Sequence, residues 1–259
     1  MIKRVKEIFE YREMITNLVK RDLRGKYKGS ALGFLWTFIS PLCQIIVYTI
    51  VFSIIVRNNL ENFYVYMIVG MIPWLFFDMS LRGGAACVRY QGDMIKKIYF
   101  PREVLPITSV TSNFINMLLC FIIVFAVLIV SGTGVNVVAL IYLPIVMIIE
   151  YVMALGFALL LAAGTVFFRD LEYIVSVILM VWIYLTPIMY TYDFIPDIVK
   201  PIFRLNPMTG VIEAYHKILY WKQLPFDTGI KYSAIFALVV LLIGELVFNK
   251  VQDNFAEEL

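Results

Sequence analysis

Six stretches of this chain, near residues 32–56, 63–87, 104–131, 136–165, 172–191 and 232–249, are each apolar over roughly the 17–25 residues that a helix needs to cross the hydrocarbon core of a bilayer. A chain with so much of its length in such runs cannot hide them from water. Apolar residues make up 61% and charged residues 16% of the 259, with a mean hydropathy of +0.85; soluble domains sit nearer half and a quarter. The fold class is therefore all-α integral membrane, with six transmembrane helices expected. Cys43, Cys87 and Cys120 all fall in apolar runs without a CxxC pair, and read as small apolar fillers. No cleavable signal pattern is expected at the N-terminus, whose basic segment is too long.

Orientation follows from the lysine and arginine bias, because basic loops stay in the cytoplasm. With six spans both termini share a side. That side holds Lys3, Arg4, Lys6, Arg12, Lys20, Arg21, Arg24, Lys26 and Lys28, then Arg82, Arg89, Lys96, Lys97 and Arg102, and collects most of the 22 basic residues. Arg57 and the few in Lys200–Lys231 fall on the other side. Both termini are expected to be cytoplasmic. Residues 1–30 read as an amphipathic unit, with Val5, Ile8, Phe9, Tyr11, Ile15, Leu18 and Val19 recurring at helical steps. Such a helix lies in the headgroup layer or packs on a cytoplasmic partner. Residues 31–250 form the membrane unit and 251–259 a tail.

The segment from Tyr192 to Lys231 is too long for a bare loop. Asn206 followed by Pro207 makes a good helix start, and Val211, Ile212, Tyr215, Ile218 and Leu219 give that helix an apolar face. A shorter helix is expected near Pro196. Neither is long enough to span.

Three carboxylates fall inside spans, where charge is costly. Asp78 has Arg82 one turn on, and Glu245 lies near a span end. Glu150 has no basic residue within a turn, so it is neutral or finds a donor on another helix. His216 stands alone, without the partners a metal or catalytic centre needs. No phosphate-binding loop exists, since Gly25-Lys26 is followed by Tyr27; any ATP must be held by another chain. Trp74 and Trp182 read as core packing or as an aromatic lining for sugars. Prolines at Pro41, Pro73, Pro106, Pro144 and Pro187 imply kinks, and Ala154, Ala158 and Ala162 a close helix approach.

Six segments together are similar to a known family: RGKYKGSALGFLW at Arg24–Trp36 ahead of Pro41-Leu42, GMIPWLFF at Gly70–Phe77, IKKIYFPREVLP at Ile95–Pro106, FRD at Phe168–Asp170, TPIMY at Thr186–Tyr190 and LNPMT at Leu205–Thr209. The chain resembles, over nearly its whole length, the type-2 ABC transporter permeases, and within them the exporters of O-antigen, teichoic acid and related capsule or rhamnose-rich glycans. The resemblance implies a subunit of the bacterial cytoplasmic membrane that pairs with a second copy of itself and with two copies of a cytoplasmic ABC ATPase. ATP and Mg would be bound by the ATPase, with no cofactor or metal in this chain. The substrate implied is a polyprenyl-pyrophosphate-linked glycan; nucleic acid is not expected as a partner. The family's coupling element maps to about 89–99, with Arg89, Asp93, Lys96, Lys97 and Tyr99 facing the ATPase. Its outer gate helices map to about 195–221, with Asn206, Pro207 and Tyr215. A hydrated glycan needs a path between two copies with weak, repeated contacts; Tyr48, Phe52, Tyr184 and Tyr190 are the aromatic candidates. The alternatives are an exporter of drugs or lipo-oligosaccharide, a proton-coupled carrier using Glu150, or a membrane-embedded transferase. A carrier would usually show internal repeats and a transferase a polar cluster at one face, and neither is present in the sequence.

Overall fold

The computed structural model describes residues 2–25, 29–30, 32–55 and 60–258. Lys26, Lys28, Arg57 and the far edge of the first expected span lie outside the described residues, as do the side chains of Lys3, Arg4 and Val5. Among the described residues every regular element is helical. A turn at Tyr11 divides the expected N-terminal helix into α1 (Ile2–Glu10) and α2 (Arg12–Gly25). Then follow α3 (Trp36–Ile50), extended by a π turn over Val51–Ile55, α4 (Phe63–Tyr90), the short α5 (Gly92–Lys97) and α6 (Val104–Val130). The second half contains α7 (Val137–Leu140), α8 (Leu143–Phe167), α9 (Leu171–Trp182), α10 (Lys200–Leu205), α11 (Pro207–Tyr215), α12 (Thr228–Val251) and α13 (Phe255–Glu258).

Five helices of the described residues are long and apolar enough to cross a membrane: Gly33–Ser53, Phe63–Tyr90, Val104–Val130, Val137–Phe167 and Thr228–Asn254. The fifth expected span, 172–191, is the main departure. Its helical part, Leu171–Leu185, reaches about 22 Å at 1.5 Å per residue, short of a hydrocarbon core of ~30 Å. Proline stops it. Pro187 has no N–H to give and disfavours helical backbone at the residue before it, and Thr186 turns extended at φ −120°, ψ 132°. Of the other prolines in that set, Pro41 and Pro73 lie in helix interiors, while Pro106 falls in the first turn of α6. Pro144 sits in the first turn of α8, where a missing N–H costs nothing.

α4 is the central post. Val65 to Trp74 are buried without a gap, and the helix packs on α3, α6, α8 and α9. The alanine row does what its spacing implied: Ala154, Ala158 and Ala162 are wholly buried, and a Cβ added to Gly84 of α4 would stand 2.5 Å from that of Ala158. Small residues let the two backbones approach closely, which maximises dispersion contacts where lipid supplies no hydrophobic drive. A second cluster closes one end of the bundle, joining Leu18, Val88, Ile95, Val104, Val166 and Phe248. It gathers α2, the ends of α4, α8 and α12 and the start of α6, the ends that the charge bias assigned to one side. The expected tail joins it: Phe255 is wholly buried, edge-on to Phe248 at 5.3 Å. The apolar face of the N-terminal unit is only partly used there, with Leu18 and Val19 buried and Phe9 64% exposed.

Candidate functional site

The basic end presents a short projecting element. α5 carries Asp93 in its first turn and Lys96 and Lys97 in its last, the charge order a helix dipole favours. It stops where Ile98 turns extended, ahead of Pro101. Ile95 and Phe100 are buried and anchor it; Asp93, Lys96 and Lys97 are exposed, and Tyr90, Ile98 and Tyr99 stand out around them at 78%, 58% and 86% exposure. Large apolar side chains left bare beside lysines form a knob suited to a partner's cleft. Arg89, grouped with these residues from the sequence, is instead held to α9 by an ion pair with Glu172 at 3.0 Å. Arg102 donates to the Gln252 carbonyl, tying the element's exit to the C-terminal segment.

At the opposite end the chain between α9 and α12 folds onto the bundle around Asn206. Its Oδ1 accepts from the Met208 amide at 3.0 Å, starting α11, and from Trp182 Nε1 at 2.9 Å. Its Nδ2 donates to the Leu185 carbonyl at 2.8 Å and the Thr186 hydroxyl at 2.9 Å. One side chain thus clamps the end of α9 to the start of α11, with Pro207 in the first helical turn as its missing N–H allows. The helix expected near Pro196 begins at Lys200 instead, because the Val199 and Lys200 amides both close a turn on the Pro196 carbonyl. Asp197, in that turn, pairs with Lys200 at 2.6 Å, and the bond holds its carboxyl below the usual range.

α11 does not stay at the surface. Tyr215 has no exposed area, and its hydroxyl donates to Glu150 Oε2 of α8 at 2.7 Å. This is the donor on another helix that Glu150 required. Next to it, in a π turn over His216–Tyr220, the His216 ring stacks on Tyr66 at 3.7 Å and its Nε2 bonds the Tyr66 carbonyl at 3.0 Å. Burial pushes His216 down to about 3, so the ring is neutral. Glu213 lies one turn earlier beside a polar cavity of about 430 Å³ that also takes in Arg204 and Asp227. Burial pushes its carboxyl up to about 7, with Lys217 opposing.

The Glu150–Tyr215 bond makes a testable stability claim. Tyr215→Phe should lower the melting temperature of the purified protein, since a buried carboxyl loses its donor at roughly 1–3 kcal/mol. Adding Glu150→Leu should recover most of that loss, because removing both partners leaves nothing unsatisfied. A Tyr215→Phe protein as stable as the parent would mean that Glu150 does not depend on this bond.

The aromatic candidates fall in two places. Tyr48 and Phe52 are half-buried along α3 and its π turn, against the core that α4 organises. Tyr184, 54% exposed, and Tyr190 meet at the end of α9, where the Tyr190 hydroxyl donates to the Tyr184 carbonyl. Tyr66 in turn donates to the Tyr190 carbonyl at 3.0 Å. Trp74 is buried at 2% exposure, and Trp182 lies edge-on to Phe77 at 5.3 Å, so both act as packing. Asp78 pairs with Arg82 at 2.8 Å within its own helix, as its spacing implied. The residues that sequence reasoning passed over are on α6: Ser109, Ser112, Asn113 and Asn116, at steps of three, four and seven, form a polar stripe on a span of high mean hydropathy.

A chain of long apolar helices, with a knob at its basic end and a buried polar clamp at the other, is a multi-pass helical membrane protein. The ABC-2 type transporter family matches residues 13–220, and the chain belongs to that family. It is 34% identical over 261 residues to the O-antigen export system permease protein RfbA of Myxococcus xanthus, covering all of both chains. To a protein of the same name from Klebsiella pneumoniae it is 30% identical over 257 residues, covering 97% of this chain and 96% of the relative. The polysialic acid transport protein KpsM of Escherichia coli is 21% identical over 239 residues, covering 90% and 91%.

Proposed function

We propose that this chain is the permease of an ATP-driven exporter that moves a polyprenyl-pyrophosphate-linked polysaccharide across the bacterial cytoplasmic membrane. The observation that carries this reading is full-length similarity at 34% identity to a protein named as an O-antigen export permease. The chain would work as a homodimer with two copies of a cytoplasmic ABC ATPase, which would bind ATP and Mg. The basic end faces the cytoplasm, so both termini lie there and the α5 knob, with Asp93, Lys96, Lys97 and Tyr99, meets the ATPase. Arg89 acts from behind by fixing α4 to α9. Leu171–Leu185 and the turn segment Thr186–Tyr190 after it together make a sixth crossing. α10 and α11 form an outer gate held by Asn206, Pro207 and the Tyr215 contact to Glu150. Tyr48 and Phe52 of one copy and Tyr184 and Tyr190 of the other line the path, gripping sugar faces without fixing register.

Deleting the gene should remove the surface glycan and leave its lipid-linked precursor inside the cell. The wild-type gene on a plasmid should restore the surface signal, read with a lectin or antibody on intact cells. Unchanged surface glycan in the deletion strain would overturn the reading.

A further inference from the structure

Three cavities on the basic side of the bundle follow one another in series and share lining residues. The first, about 490 Å³, lies against Lys20, Arg21 and Arg24 of α2. It shares Arg21 and Gly25 with a second, about 580 Å³, that reaches Arg82 and Gly83 of α4 and Ser109, Ser112 and Asn113 of α6. That cavity shares Met79 and Asn113 with a third, about 470 Å³, between α3, α4 and α6, which ends at Asn116, Thr37 and Cys120. From Ser109 to Cys120 the groove climbs α6 by about 16 Å at 1.5 Å per residue, roughly half of a ~30 Å hydrocarbon core. Its mouth carries Lys20, Arg21, Arg24 and Arg82 against Asp22 and Asp78, a net positive balance. Met79 forms the lip and is 42% exposed.

The interior of this groove is incompletely bonded. Thr37 Oγ1, Ser112 Oγ and Asn116 Oδ1 have no hydrogen-bond partner, although their residues are only 4%, 2% and 8% exposed. Buried polar atoms left so are costly unless a ligand completes them. An acyl chain cannot, so a phospholipid fixed by its headgroup at the mouth would leave the defect in place. The hydroxyls of Thr37 and Ser112 can donate to phosphate oxygens; the Asn116 carbonyl needs a donor, which a sugar hydroxyl supplies. A ligand that displaces water from the groove and completes these atoms carries acceptors and donors into the apolar layer behind an anionic group that the basic mouth attracts.

We propose that this groove is the loading site for the pyrophosphate and first sugar of the prenyl-linked glycan, drawn head-first from the inner leaflet with its prenyl tail left in lipid. The proposal rests on the exporter reading above. The purified full-length chain in lipid nanodiscs, given a photoreactive prenyl-diphosphate-linked monosaccharide, should be labelled within residues 72–83 and 109–120. The unlabelled compound should compete, while prenyl alcohol and phosphatidylglycerol at equal mole fraction should not. Thr37→Val with Ser112→Ala and Asn116→Leu removes only unpartnered polar groups, so the melting temperature should hold while labelling falls at least roughly tenfold. Gly83→Leu should block the same labelling from the opposite wall, since an added Cβ would stand only 2.5 Å from Ser109 Oγ. Labelling elsewhere in the wild-type chain, equal competition by phosphatidylglycerol, or undiminished labelling of the stable triple variant would each overturn the site. If the deletion strain loses surface glycan but the triple variant restores it fully, the loading site fails while the exporter reading stands. Surface glycan that survives deletion removes the exporter reading itself.

Discussion

Gly156→Leu should leave almost no folded protein to purify, and Gly156→Ala should already lower the melting temperature sharply. At this point α8 and α12 touch backbone to backbone. A Cβ added to Gly156 would lie 2.6 Å from the Leu241 nitrogen, 2.7 Å from the Val240 carbonyl carbon and 2.8 Å from Leu241 Cα. Across the contact, a Cβ on Gly244 would lie 2.5 Å from the Gly156 carbonyl oxygen. None of these atoms can swing aside as a side-chain tip would. The helices must separate, and the contacts along their whole interface go with them, placing the cost at or above the top of the roughly 1–3 kcal/mol that overpacking usually takes. Gly164 on the same helix is the control. Its added Cβ meets only the Leu171 Cδ2 methyl at 2.6 Å, so Gly164→Ala should be mild. Thermal unfolding in one detergent checks both; equal stability of the two alanine variants would mean that α8 and α12 are not locked at Gly156.

Lys96→Glu together with Lys97→Glu should abolish export without disturbing insertion. The element is anchored by Ile95 and Phe100 beneath it, and the two lysines face outward, so reversing them removes no packing. In the proposed assembly they meet an ATPase cleft, where two reversed charges should cost at least roughly tenfold in productive coupling. Export in cells gives the first readout. Cysteine labelling from each side of the membrane gives the second, because lysines that only enforced topology would produce misinsertion instead. Normal export with normal insertion would remove α5 from the coupling interface.

The helices were legible because a bilayer imposes a length and an apolar threshold that local sequence must meet by itself. Four expected spans match long helices within a few residues, and a fifth, 232–249, is longer at Thr228–Val251. The remaining one, 172–191, fell short since hydropathy averages through Thr186-Pro187, whereas backbone geometry does not. The Asn206 cap was readable because it acts on an amide two residues away. Its bonds to Trp182, Leu185 and Thr186 were not, nor was the Arg89–Glu172 pair across 83 positions, since nothing local encodes which distant helix returns alongside. Tyr215 illustrates the limit: its place on an apolar face was legible, but not that the face turns inward onto Glu150. The α6 stripe was present in the sequence at helical spacing and was hidden by a high average hydropathy.

The proposed division of labour between this chain and an ABC ATPase is tested most directly by purification. The chain should be co-expressed with its proposed ABC ATPase partner, isolated through a tag on this chain alone, and assayed for ATP hydrolysis with and without that partner. The two should co-purify and hydrolyse ATP together, while this chain by itself should show none. Hydrolysis by the chain alone, persisting after every ATPase contaminant is removed, would contradict the permease assignment.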